Sequence, residues 1–276
     1  MAEIVTATVD LYRQALRKTW QSLVRGWIIM VALIGFMLIL AVTTQLAGPL
    51  GIAGGFLLGA VNALLVGAVL SLVEQSISYG RTLTLQDVFD SFGRYFWDVI
   101  GVGFVLWLPL LALEMGTQTN PYGPFLSYAV LLLLFLLLNP APEVIYQVRH
   151  DSPLDVMKTS YEFVLENWME WFLPIAVLLL PIVLSPAGIR EVFSLSSRAG
   201  RGAGLDFFQL LVLPFTILGG WLGYLGIPST MTWYLLLLLT PPAAVAMLLF
   251  RGHLFALLSG SSRRQRRFAS QHYRGE

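Results

Sequence analysis

Cysteine is absent from the 276 residues. That excludes disulfides, thiolate metal sites and a cysteine nucleophile, and leaves the redox compartment unread. Charge is scarce as well: Asp, Glu, Lys and Arg make up 12% of the chain against 57% hydrophobic residues, and mean hydropathy is +0.73. A water-soluble domain of this size does not tolerate such a composition. The formal net charge of +1 implies no general attraction to nucleic acid. The three histidines, His150, His253 and His272, are scattered with no H-E-x-x-H spacing, so no metal site is expected. No G-x-S-x-G stands before a helix and no Gly-rich phosphate loop occurs, so neither a catalytic constellation nor a cofactor is expected.

What remains is apolar and bunched. No Asp, Glu, Lys or Arg lies between Arg25 and Glu74, Glu114 and Glu143, Glu170 and Arg190, or Asp206 and Arg251. A bilayer core of about 30 Å needs roughly 20 helical residues, so the first and last gaps can hold two spans each and the middle ones one each. Leu-rich runs without alternation exclude a membrane barrel and leave helices. Candidate spans are 26–48, 51–73, 97–115, 125–147, 170–188, 207–226 and 231–251. No small-residue cleavage site follows the first apolar run, so Gly26 onward reads as a retained span.

Seven candidates conflict with the charge at the two ends. Arg13, Arg17, Lys18 and Arg25 precede the first span, and Arg263, Arg264, Arg266 and Arg267 follow the last. The positive-inside rule places both ends in the cytoplasm, which needs an even number of crossings. A repeat indicates which candidate fails. Arg81, Thr84, Asp87 and Val88 match Arg149, Ser152, Asp155 and Val156 at a constant offset of 68 residues. Both stretches have the hydroxyl and acidic spacing of a helix start, and Pro153 suits a first helical position.

Amphipathic helices are expected to follow each start, and the amino-terminal segment has the same character, with Val9, Tyr12, Leu16 and Trp20 opposite Asp10, Arg13, Arg17 and Lys18. The ends of two spans also correspond, Asn139-Pro140-Ala141-Pro142-Glu143 with Thr240-Pro241-Pro242-Ala243-Ala244. The expected fold is therefore all-α: a polytopic transmembrane helical bundle of six spans with amphipathic surface helices and a three-unit internal repeat. Residues 1–259 form the one transmembrane domain, with units 1–75, 76–148 and 149–259, an insertion at 189–229 and a basic cytoplasmic tail over 260–276. The segment 207–226, interrupted by Pro214 and Gly219-Gly220, is expected to dip into or lie on the outer leaflet.

Glu143 is the leading candidate for a substrate or ion site. Pro140 and Pro142 remove backbone donors beside it and free upstream carbonyls, and Asn139 and Arg149 complete the group. An ionisable residue near membrane depth is a functional hypothesis by default. The structural alternative pairs Glu143 with Arg149, under two turns away, or with a neighbouring surface helix. Gly51, Gly55, Gly59, Ala63, Gly67 and Ser71 form a small-residue stripe at every fourth position and are expected to let another helix pack closely. Trp20, Trp27, Trp97, Trp107, Trp168, Trp171, Trp221 and Trp233 mostly fall near span ends, where headgroup anchors sit, and are assigned no ligand. Arg263, Arg264, Arg266 and Arg267 suit anionic lipid headgroups, or act only as a topology signal.

The stretch from Pro142-Glu143 through Ser160 to Trp168 resembles a group of prokaryotic six-span membrane proteins of unknown function, related to the membrane domain of some glycerophosphodiester phosphodiesterases. The resemblance covers the middle half of the chain and implies a multi-pass protein of the bacterial cytoplasmic membrane. It supplies no reaction, and no phosphodiesterase domain is attached. Two functions compete on these residues. One is an accessory, scaffold or lipid-organising component whose partners are membrane lipid and other membrane proteins or a second copy of itself. The other is a transporter or channel with its polar site at the proline-broken fourth span. An intramembrane enzyme is disfavoured because no nucleophile and base stand together in the sequence.

Overall fold

A computed structural model describes residues 2–117, 122–184 and 207–260. Its elements in chain order are α1 (Ala2–Arg25), α2 (Ile28–Ala47), a single 3-10 turn (Gly48–Leu50), α3 (Ile52–Ser78), α4 (Leu85–Asp90), α5 (Phe96–Thr117), α6 (Gly123–Leu137), α7 (Ala141–Gln147), α8 (Pro153–Leu184), α9 (Phe207–Tyr224) and α10 (Ser229–Ser259). No strand occurs among the described residues.

Six helical segments are long and apolar enough to cross a bilayer: Ile28–Leu50, Ile52–Ser78, Phe96–Thr117, Phe125–Gln147, Pro153–Leu180 and Thr230–Ser259. The chain is an all-α, multi-pass membrane protein. Helix α9 is apolar over Leu210–Tyr224 but shorter than these six. Its Pro214 and paired glycines do not interrupt it, contrary to expectation. The glycines are contact points instead: a side chain at Gly220 would strike Ile182 of α8, and Gly219 faces Leu236 of α10. Trp221 Nε1 donates to the Leu178 carbonyl at 3.0 Å, fixing α9 against α8. Residues 189–206 of the expected insertion lie outside the described residues.

Local chemistry sets the helix starts. Thr84 and Asp87 form a reciprocal capping box at α4, with the Thr84 amide donating to Asp87 Oδ2 at 2.7 Å. Burial alone would raise the Asp87 carboxyl, but hydrogen bonds from Thr84 and the Arg81 guanidinium outweigh it and hold Asp87 below the usual carboxylate range. At α8, the Asp155 amide donates to Ser152 Oγ at 3.2 Å. A surface helix followed by a span is expected beyond this point, and α8 is two helical segments that meet at a kink, where Asn167 leaves helical geometry at φ -126° and ψ 18°. There the Asn167 side-chain amide donates to the Phe163 carbonyl at 3.2 Å. That carbonyl is the acceptor its own backbone N–H would use in a regular helix, so the side chain ties the two segments together across the kink.

The core gathers on α3, where Ala63, Leu65, Val66, Val69, Leu70, Leu72 and Val73 are buried with Ile29, Leu33 and Phe36 of α2, Val99 and Val102 of α5 and Leu249 of α10. More than half (56%) of the most apolar window of α3 is buried, against 11% for α5, so α3 is the central span and α5 a peripheral one. At the α2–α3 turn Gly51 adopts φ +55°, the left-handed region that disfavours a side chain. Helix α1 buries Ala15, Thr19 and Ser22 and leaves Val9, Leu16 and Trp20 exposed. Tyr12 anchors it by donating to the Glu170 carbonyl at 2.8 Å, and burial followed by the Glu170 charge pushes its hydroxyl up to about 12. Ser22 Oγ lies 2.9 Å from His253 Nε2, so α1 and the end of α10 meet at the same end of the bundle.

Candidate functional site at the break between α6 and α7

The fourth span stops and restarts. Helix α6 ends at Leu137, Pro140 supplies no N–H at φ -83°, and α7 begins at Ala141. The break turns the Asn139 carbonyl out of the helical ladder and brings Glu143 to the first turn of α7, buried to 1% exposure. Its partner is Arg251 of α10. Arg251 Nε donates to Glu143 Oε1 at 2.8 Å, and one terminal guanidinium nitrogen donates to Oε2 at 2.9 Å and to the Asn139 carbonyl at 2.6 Å. Such fork-to-fork pairing is the strongest geometry open to a carboxylate and a guanidinium.

The expected Glu143–Arg149 pair does not form. Arg149 follows α7 in an extended segment, since Val148 leaves the helix at ψ 131°, and it is exposed. The opposite α10 presents Arg251, 108 residues away in sequence, directly to the break.

Trp171 closes the group from α8. Its indole Nε1 donates to Asn139 Oδ1 at 2.8 Å, and its ring lies 5.2 Å from the Arg251 guanidinium carbon. Phe163 and Phe255 stack beside it, with ring centroids 4.5 Å apart. The assignment of Trp171 as a headgroup anchor is thus corrected: it is 3% exposed, an interior ring with its polar edge occupied. Close approach of α7 and α10 depends on Gly252, where any side chain would strike Ile77 and Tyr146. Gln147 Nε2 donates to the Gly252 carbonyl at 2.9 Å across the same contact.

Asn139, Pro140, Pro142 and Glu143 are therefore brought together, Arg149 is not, and Arg251 and Trp171 complete the cluster. Arg251 had one sequence signal: it is the first charged residue after Asp206, at the end of an apolar run. Glu143 and Ser160 are buried, with Ser160 Oγ donating to the Val156 carbonyl at 2.7 Å, whereas Trp168 is 54% exposed.

The small-residue stripe splits. Ala63, Gly67 and Ser71 are buried, and a side chain at Gly67 would stand 3.1 Å from the Tyr95 backbone. Gly51, Gly55 and Gly59 are exposed with nothing among the described residues within 4 Å of an added Cβ, contrary to the expected close contact along the whole stripe. The reason is the helical pitch: at about 3.6 residues per turn, a step of four overshoots a full turn, so the stripe winds round α3 and leaves its buried face. Arg263, Arg264, Arg266 and Arg267 lie outside the described residues.

Two further polar groups sit at the same bundle end. Glu74 accepts from Tyr95 Oη at 2.8 Å and from Arg94 at 3.2 Å. Burial, then that carboxylate, raises the Tyr95 hydroxyl. Ser22, Ser76 and His253 join α1, α3 and α10, with Ser76 Oγ donating to the Ser22 carbonyl at 3.3 Å. Searches with family models, among curated proteins and among solved structures find no match for this chain.

Proposed function

We propose that the chain is a non-catalytic membrane component, an accessory, scaffold or lipid-organising protein that works through its lipid-facing and partner-facing surfaces. One observation carries this reading: both carboxylate oxygens of Glu143 are occupied by Arg251, which also takes the Asn139 carbonyl. A residue that receives a travelling ion or polar solute has to offer an unfilled donor or acceptor. Here a solute would first have to displace a bidentate guanidinium and leave a buried charge unpaired. Contact area for partners is ample, because Phe104, Leu108 and Met115 of α5 and Phe125, Leu133 and Phe135 of α6 are all exposed. Apolar surface of this kind meets either lipid chains or another helix.

The conduit reading keeps one observation in its favour, the discontinuous fourth span with a carboxylate at its break. Extraction of the full chain into lipid nanodiscs without detergent, followed by native mass spectrometry, separates the two. The scaffold reading expects a stoichiometric protein partner or retained lipid. A bare chain in repeated preparations, together with solute counterflow that Glu143→Gln abolishes, would overturn it in favour of a conduit.

A further inference from the structure

Helix α5 enters its span at Phe96 and the fourth span ends at Gln147, so the residues flanking these points share one end of the bundle at headgroup depth. Tyr95, Asp98 and residues 145–150 line a recess of about 350 Å³ there. Its acidic groups are engaged. Glu74, behind Tyr95, is held by Tyr95 and Arg94. Asp98 Oδ1 lies 3.1 Å from His150 Nε2, and His150 Nδ1 lies 2.9 Å from the Val148 carbonyl.

Arg149 also lines the recess, is exposed, and has no ion-pair or hydrogen-bond partner among the described residues. It is an unpaired cation in the lining of the recess. Asp151, two residues on, does not line the recess. From the same helix start, Trp97, Phe104 and Leu108 form an exposed apolar stripe along α5 at helical spacing. Trp97 stands at the span entrance, where an amphipathic ring prefers the interface. An exposed cation in a recess beside the start of α5, together with exposed apolar side chains along the same helix, suits an anion that carries acyl chains.

We infer that this recess binds the phosphate of an anionic phospholipid, with Arg149 as its charge partner and α5 as the track for the acyl chains. The site stands whether the protein is a scaffold or a conduit, since it uses neither Glu143 nor Arg251. A soluble phosphate ester shares the recognised group but lacks the chains. The test is native mass spectrometry of the full chain, delipidated and titrated with phosphatidylglycerol. To remove the arginine tail as a competing site, it is run in an Arg263→Gln, Arg264→Gln, Arg266→Gln, Arg267→Gln background. A saturable first phosphatidylglycerol is expected, weakened about fivefold by Arg149→Gln, the effect of losing one basic residue near an anionic surface, and retained by Arg149→Lys. Phosphatidylcholine is expected to show no dependence on Arg149. Equal phosphatidylglycerol binding with and without Arg149 would overturn the site, and glycerol 1-phosphate binding as tightly as the lipid would overturn its assignment to a lipid.

Discussion

Two proline-rich stretches with closely related sequences lie within two spans of this protein, Asn139-Pro140-Ala141-Pro142 and Thr240-Pro241-Pro242-Ala243, and they fold differently. The first breaks its helix between Leu137 and Ala141. The second lies inside α10, which runs unbroken from Ser229 to Ser259. Proline removes a donor and frees a carbonyl in both places. What differs is the set of groups waiting nearby. Asn139 finds Arg251 for its carbonyl and Trp171 for its side chain, while the Thr240 hydroxyl finds no partner. A proline permits a break, and tertiary hydrogen bonds decide whether the chain takes it.

The largest test of that comparison removes the waiting group. Arg251→Met is expected to destabilise the protein by about 3–5 kcal/mol, the usual result of stranding one member of a buried ion pair. Denaturation in mixed micelles would measure it. The double variant Arg251→Met, Glu143→Leu should recover most of the loss, because an apolar pair of similar volume commonly replaces a buried salt bridge at little cost. Equal destabilisation of the single and double variants would show that the Asn139 carbonyl, not the charge on Glu143, is what Arg251 holds.

A smaller and opposite pair of effects comes from the prolines themselves. Pro242→Ala returns a donor to the Leu238 carbonyl inside a continuous helix, and should raise the melting temperature, with a gain below the roughly 3 kcal/mol that proline costs in a helix interior. Pro140→Ala offers the helix a way through the break and competes with Arg251 for the Asn139 region. It should lower the melting temperature. Shifts of the same sign in both variants would mean that the two stretches are equivalent after all.

The spans were legible in the sequence because the requirement for about 20 apolar residues is local. Thr84–Asp87 and Ser152–Asp155 were legible for the same reason, since a cap is complete within four positions. The partner of Glu143 was not, because sequence proximity favours Arg149 while only the packing of α7 on α10 brings up Arg251. Trp171 looked like the other interfacial tryptophans, and nothing local distinguishes a ring at a span end from one turned inward. Periodicity placed Gly55, Gly59, Ala63 and Gly67 on one face of α3 but could not say how far along that face a neighbour stays in contact. The change from surface helix to span within α8 was legible in the amphipathic pattern and the apolar run that follows it, whereas the side-chain bond of Asn167 to Phe163 across the kink was not.

The smallest effect falls on the second proline stretch. Thr19, Thr43, Thr44 and Thr216 each donate to the carbonyl four residues earlier at 2.8 Å, the ordinary way for a threonine in an apolar helix to satisfy its hydroxyl. Thr240 is buried and does not, and its Oγ1 is the buried side-chain oxygen without a partner among the described residues. Thr240→Val keeps the shape and the β-branch while deleting that hydroxyl, so it should stabilise the protein by about 1 kcal/mol, the lower end of the cost of an unsatisfied buried polar group. Thr43→Val, which gives up a made hydrogen bond, supplies the control and should not stabilise. If Thr240→Val instead lowers stability in nanodiscs, the hydroxyl has a partner beyond the described residues, and the continuous proline stretch, not the broken one, is where that contact is made.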